Sequence, residues 1–211
     1  MIKKYRILIE TVAVTAVTLL GMLLIPSAKT FFALLPVVYL LIERQLRQRT
    51  WGELGFNGRT FGADLRANWV LFVLLGFVIQ PLTVLWAKAF FPAFLAHVQA
   101  RLPFETGISW GVLLPLLAIS LVGEEMTYRT LIQGRLTPFI GIPAAVGVAS
   151  LLFGLAHFAP GPGLVVLMDT GLIVFDSILY GVMFARRNNL WVVWLAHLLG
   201  DISGLVLLVS I

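Results

Sequence analysis

Seven stretches of this chain, near residues 7–25, 30–42, 67–91, 109–134, 143–158, 164–185 and 190–210, are almost continuously apolar. A bilayer-spanning helix takes about 20 mostly apolar residues, so these runs predict an all-α fold: a polytopic transmembrane helix bundle of about seven spans. Composition agrees. Of the 211 residues, 60% are hydrophobic and 12% charged, whereas a soluble domain carries around 25% charge. The chain has no cysteine, which excludes a disulfide framework, a thiol nucleophile and a thiolate metal site. Its formal charge of +5 does not point to nucleic acid, because the basic residues sit in short loops between the apolar runs.

The start, Met1-Ile2-Lys3-Lys4-Tyr5-Arg6 followed by an apolar run from Ile7 to Ile25, superficially resembles a secretory signal. The run exceeds the 7–15 residues of a signal h-region, and Ile25-Pro26-Ser27-Ala28 is a poor cleavage site. An uncleaved first span is the better expectation. No repeat or low-complexity tract divides the chain, so 1–211 reads as one integral membrane domain. Residues 1–108 supply N-terminal helices and a cytoplasmic loop, and 109–205 form a core that bears the motifs below. Segment 43–66 is the most polar; its arginines with Trp51, Leu54 and Phe56 suit an element in the headgroup region or a plain connecting loop. Residues 96–107 form a second, less charged loop.

Loop charge sets the expected orientation. With the N-terminus cytoplasmic, the inner segments hold Lys3, Lys4, Arg6, Arg44, Arg47, Arg49, Arg59, Arg66, Arg135, Arg186 and Arg187; the outer ones hold only Lys29, Lys88 and Arg101.

Against this apolar background, three polar motifs stand out: Glu124-Glu125-Met-Thr-Tyr-Arg129, Phe153-Gly-Leu-Ala-His157 and His197-Leu-Leu-Gly-Asp201. A charge at the bilayer centre costs about 2.5–3.5 kcal/mol even on the lenient insertion scale. Glu124 and Glu125 project about 100° apart on a helix, and Arg129 lies four residues beyond Glu125, the spacing of a salt bridge. The expected division is a structural Glu125–Arg129 pair and a Glu124 free to face a cavity as general base. Phe153 and His157 share a face, as do His197 and Asp201. Counted from the cytoplasmic helix ends at about 1.5 Å per residue, Glu124 and Asp201 lie roughly 16 Å deep, His157 roughly 21 Å and His197 roughly 10 Å. These depths allow one buried pocket between the fourth, fifth and seventh helices. Gly200-Asp-Ile-Ser-Gly204 has the small-xxx-small spacing that lets the last helix approach a neighbour. His97 reads as a solvated loop residue. Glu10, Asp169 and Asp176 are further intramembrane acids, suited to lining a water-filled path or pairing with arginine.

Two imidazoles and a carboxylate also suffice for a catalytic zinc with an open position, with Glu124, His157 and His197 as ligands, although there is no His-Glu-x-x-His helix. A metal-free site would use the same side chains. Glu, His and Asp in helices serve equally in a proton-coupled small transporter, and a non-catalytic membrane immunity or scaffold protein is the remaining alternative.

In these residues the chain resembles the CPBP family of intramembrane proteases (CAAX protease and bacteriocin-processing, also called Abi). Its pattern of Glu-Glu-x-x-x-Arg, Phe-x-x-x-His and His-x-x-x-Asn/Asp falls here in order on Glu124, Glu125, Arg129, Phe153, His157, His197 and Asp201. The resemblance covers about 109–205. It implies an intramembrane endopeptidase, classed as metallo, in which Glu124 activates water and His157 shares that water or a metal. His197 and Asp201 would stabilise the oxyanion or complete the metal shell, with Glu125, Arg129 and Phe153 as structural support. Asp201 stands where the family often has Asn; an ionised acid accepts a hydrogen bond but does not donate one. The implied partners are the bilayer and a membrane peptide or protein, prenylated ones included. The implied setting is a prokaryotic cytoplasmic membrane.

Overall fold

The computed structural model describes residues 2–100 and 109–211. Its helices are α1 (Ile2–Leu24), α2 (Lys29–Leu46), α3 (Phe61–Ala67), α4 (Trp69–Phe90) and α5 (Pro92–Gln99), then α6 (Trp110–Glu125), α7 (Gly134–Ala156), α8 (Gly163–Arg187) and α9 (Leu190–Ser210). No strand occurs among the described residues. One π-helical stretch, Leu74–Val78, lies inside α4, and a second, Met126–Gln133, joins α6 to α7. Such wide turns re-aim side chains and recur at functional sites. α2 runs longer than the apolar stretch 30–42 suggests and carries Pro36 within it.

Among the described residues, six helical stretches are long and apolar enough to cross a membrane. The fourth, Trp110–Ala156, has 47 residues; as a straight rod it would measure about 70 Å, more than twice a hydrocarbon core of about 30 Å. It is not straight. Gly141 has φ 77° and ψ 165°, a left-handed φ open to a residue without Cβ, between Pro138 and Pro143. Beyond it the chain doubles back, so that the ring of Tyr128 packs edge-on against Phe153 with centroids 4.8 Å apart. Within one straight helix these two residues would stand about 37 Å apart. The stretch is therefore two antiparallel legs, which the sequence displays as separate apolar runs at 109–134 and 143–158.

One end of the bundle is rich in arginine and closed. Glu43, buried on α2, accepts hydrogen bonds from Arg47 (2.5 Å) and from Arg135 of α7. Arg47 also donates to Glu10 of α1 at 2.5 Å, and Glu10 takes further bonds from Tyr39 and Arg6. Glu10 thus pairs with arginine, one of the two uses expected of it.

Segment 43–66 is more than a loop. Thr50 and Glu53 cap a short turn reciprocally; the Thr50 backbone N–H and hydroxyl donate to Glu53, holding that carboxyl below its ordinary range. Leu54 inserts to 1% exposure. Its carbonyl accepts from Thr130 Oγ1 (2.7 Å), and Gly55 O accepts from Leu190 N (2.7 Å). Asn189 Nδ2 donates to Asn57 O and to Asp64 Oδ2 (both 2.8 Å). The segment is a plug beneath α7, α8 and α9, and its leucine joins a contiguous core with Leu40, Leu131, Met183, Phe184 and Leu190.

At the other end, α5 packs against the start of α8 through Phe94 and Val165. His97, expected to be solvated, is instead mostly buried, with Nε2 3.6 Å from Asp169. The remainder of the 96–107 loop lies outside the described residues.

The close approach expected of Gly200 is present: a Cβ there would meet the Leu75 carbonyl oxygen, in the π-helical part of α4, at 2.6 Å. Because the obstacle is backbone, Gly200→Val should destabilise the protein by about 1–3 kcal/mol, the usual cost of overpacking. Gly147→Ala, where nothing lies within 4 Å, should leave the midpoint unchanged in the same detergent-unfolding titration.

Candidate active site

Glu124 and Glu125 end α6 just where the π-helical stretch begins, and their side chains part as their spacing predicts. Glu125 is 1% exposed. Its Oε2 accepts from Arg129 Nε at 3.0 Å, and its Oε1 meets His197 Nδ1 at 2.7 Å. Arg129 is fully buried and also donates through NH2 to Ser177 Oγ on α8 at 2.9 Å. Glu125 is therefore more than half of a structural salt bridge: it ties the α6–α7 junction to α9 and orients the imidazole of His197. A carboxylate accepts only, so Nδ1 of His197 carries its proton there and Nε2 is left to face inward. Tyr180 of α8 stacks on the same ring at 4.6 Å.

His157 is the residue that ends α7. Its Nδ1 lies 2.9 Å from the Phe153 carbonyl. A carbonyl cannot donate, so Nδ1–H is the donor and Nε2 presents a lone pair when the ring is neutral. The Phe153 ring packs on this imidazole at 4.4 Å and meets His197 at 6.0 Å, so Phe153 is a wedge between the two histidines. Glu124, half-buried, places Oε2 3.9 Å from His157 Nε2. Across the cavity, His197 Nε2 stands 3.8 Å from Asp201 Oδ1.

The four expected residues Glu124, His157, His197 and Asp201 line one cavity of about 180 Å³. It draws on more helices than the fourth, fifth and seventh of the sequence reading. Gln80 of α4 and Asp176 and Tyr180 of α8 complete its wall, with Gln80 Nε2 donating to Asp176 Oδ2 at 2.7 Å. Asp176 was visible in the sequence as a buried acid. Gln80 was visible as a lone amide in an apolar run; neither has a motif to mark it. Two larger apolar lobes adjoin the cavity. One, of about 680 Å³, lies among α4, α6 and α9 and shares His157 and Asp201 with it. The other, of about 580 Å³, lies among α1, α2 and α6 and shares Glu124 and His157.

Among the described residues, no three His, Asp or Glu side chains stand close enough together to hold a metal ion. Each imidazole is held through Nδ1, by Phe153 O in one case and Glu125 in the other, an arrangement that leaves Nε2 able to take a metal, as in most ligating histidines.

Residues 106–203 match the family model described as Type II CAAX prenyl endopeptidase Rce1-like. Over this segment the chain is similar to the CPBP, or Abi, family. The match takes in all seven motif residues and just under half of the chain. It supports an intramembrane endopeptidase of the CAAX type in general, acting on membrane-associated protein. No curated protein and no solved structure matches the chain.

The adjacent glutamates should behave oppositely on substitution. Glu125→Ala strands a buried arginine and should cost about 3–5 kcal/mol, as breaking a buried ion pair does. Glu124→Ala, which removes a half-buried group with no tight hydrogen bond, should leave the unfolding midpoint near that of the wild type. Thermal unfolding of both variants in detergent reads the difference.

Proposed function

We propose that this protein hydrolyses a peptide bond of a membrane-associated or lipid-modified peptide, using a water activated by Glu124 and His157. The observation that carries the reading is the facing of Glu124 Oε2 and His157 Nε2 across 3.9 Å at the point where the polar cavity meets two apolar lobes. The span is too long for a direct hydrogen bond and leaves a place for a water that bonds to both. An endopeptidase must seat its substrate on both sides of the scissile bond, and the lobes flank His157 on both sides.

The chemistry follows from the groups present. Glu124 takes a proton from the water as its oxygen attacks the carbonyl carbon, with His157 Nε2 holding the water's second hydrogen. Negative charge then develops on the carbonyl oxygen. His197, its Nδ1–H bound to Glu125, turns Nε2 toward that oxygen and in its imidazolium form donates to it, the electrostatic contribution such sites rely on. Asp201 lies beside His197 Nε2 and balances the charge; it donates to the oxyanion only when protonated. Collapse of the tetrahedral intermediate breaks the C–N bond, and Glu124 returns its proton to the leaving amine.

Zinc assistance is the finer alternative. A zinc ion bound by Glu124, His157 and His197 would act as a Lewis acid on the substrate carbonyl, with both Nδ1 atoms keeping their present partners and Nε2 as the ligand atoms; the three side chains would first have to draw closer together than they stand. The metal-free route predicts that cleavage by purified protein persists after chelation and removal of bound metal, checked by elemental analysis alongside the assay. Loss of cleavage with the metal, and its return on adding zinc, would establish the metal route.

The reading itself is tested in proteoliposomes with a prenylated CAAX peptide and an unmodified transmembrane peptide. Glu124→Gln and His157→Ala should each lower the cleavage rate by about 10²–10⁴, the usual worth of a general base, while unfolding as the wild type does. Full activity in either variant would rule out the proposed roles.

A further inference from the structure

The catalytic cavity is rich in acids and poor in hydrogen-bond donors. Of its lining, Glu124, Asp176 and Asp201 only accept when ionised. His157 and His197 are each held through Nδ1, so their Nε2 atoms donate only from the imidazolium form. Tyr180 stacks on His197, and its hydroxyl lies against Gly200, where a Cβ would meet it at 3.2 Å. The remaining donor in the wall is the amide of Gln80, which donates whatever the protonation of its neighbours.

Several independent contacts place that amide. Gln80 follows the π-helical turn Leu74–Val78 of α4 by two residues, and such wide turns re-aim side chains. α9 closes on this part of α4 at two glycines. A Cβ at Gly200 would meet Leu75 O at 2.6 Å, and one at Gly204 would meet Gln80 Cβ at 3.0 Å. Asp201 lies between these two contacts, and it shares with Gln80 the walls of both the catalytic cavity and the larger lobe. From α8, Asp176 Oδ2 accepts one amide hydrogen of Gln80, with Nε2 at 2.7 Å. Asp176 is 8% exposed, and its Oδ1 has no hydrogen-bond partner among the described residues. An ionisable residue kept this deep in a membrane bundle marks a use beyond packing. The amide nitrogen carries a second hydrogen, which no described residue accepts.

We propose that Gln80 is a catalytic residue whose amide N–H donates to the carbonyl oxygen of the scissile bond as negative charge gathers there. Asp176 is its positioning residue, fixing the amide through the first hydrogen. The assignment rests on the endopeptidase reading and adds a neutral donor to its oxyanion side. Bond making and breaking are unchanged: water adds to the carbonyl carbon, the C–N bond breaks and Glu124 returns the proton to the amine. Gln80 keeps both of its own hydrogens throughout. The assignment also accounts for an acid at position 201, where the family that this chain resembles often has asparagine. An ionised Asp201 does not donate, and an amide reaches the same cavity from Gln80, on a helix outside the matched residues 106–203. Asp201 is then free to balance the His197 imidazolium.

Gln80→Met/Asp176→Leu replaces both members of the pair with apolar groups of similar size, a change close to neutral for folding. Its unfolding midpoint in detergent should stay near that of the wild type. In proteoliposomes its kcat for the prenylated CAAX peptide should fall by about 10²–10³, the usual effect of removing one oxyanion donor, with KM little changed. Adding Asp201→Asn returns an amide to the cavity and should recover part of the lost kcat, which a packing role for Gln80 would not allow. Asp176→Asn, whose side-chain carbonyl still accepts from Gln80, should lose less activity than Asp176→Leu.

An unchanged kcat in Gln80→Met/Asp176→Leu overturns the inference, as does a loss that Asp201→Asn leaves untouched. Should that double variant not fold, the Asp176 variants decide: equal kcat in Asp176→Asn and Asp176→Leu overturns it. A wild type that cleaves nothing, or a Glu124→Gln variant as fast as the wild type, sinks the endopeptidase reading instead. With the wild type active and Glu124→Gln slowed, the Gln80 variants bear on the amide alone.

Discussion

The Glu125 carboxylate is the joint on which the site hangs. In a low-dielectric interior an unpaired charge is prohibitive, and even a paired one must have its remaining lone pairs satisfied. Glu125 meets both demands by spending one oxygen on Arg129 and the other on His197. Arg129 in turn reaches Ser177 on α8. One buried acid thereby binds the α6–α7 junction, α8 and α9 into a fixed frame, and it does so with charges that nearly cancel. The neighbouring Glu124 inherits its position from this arrangement: with Glu125 committed inward, the helix turns the next carboxylate toward the cavity.

The two histidines are fixed by different means. His197 is held by a carboxylate and a stacked tyrosine deep in the bundle, so its ring has little freedom. His157 is held by a carbonyl one turn back on its own helix and by the Phe153 ring. Phe153 touches both imidazoles and keeps them on opposite sides of the cavity. The polar groups therefore stand as two pairs around a space, Glu124 with His157 and His197 with Asp201, instead of converging on a point. The proposed hydrolysis uses that geometry, with a water on one side and a developing oxyanion on the other.

Much of this was legible in the sequence, because apolar runs and i,i+4 spacings are local properties. The seven runs, the turn between 134 and 143, the Glu125–Arg129 pair and the Gly200 approach all follow from such patterns. What was not legible depends on contacts between distant segments. Nothing local ties Glu125 to His197, 72 residues away, or directs Gln80 and Asp176 into the same wall. The polar stretch 43–66 reads as a headgroup-region element or a plain loop because its hydrogen bonds go to Thr130, Asn188 and Leu190, partners that composition does not reveal. His97 looked solvated for the same reason: its acid, Asp169, lies on another helix.

The break at Gly141 has a consequence for the bilayer itself. The leg from residue 142 to Ala156 rises only about 22 Å, roughly 8 Å less than the hydrocarbon thickness of an average membrane. A segment that short is matched by local thinning of the lipid around it. Its free end is His157, followed by Ala159-Pro160-Gly161-Pro162, a stretch without helical backbone. Irregular backbone at that depth must be covered by protein or wetted. Hydrophobic mismatch at one short helix would thus bring the headgroup layer, and the water it carries, closer to His157.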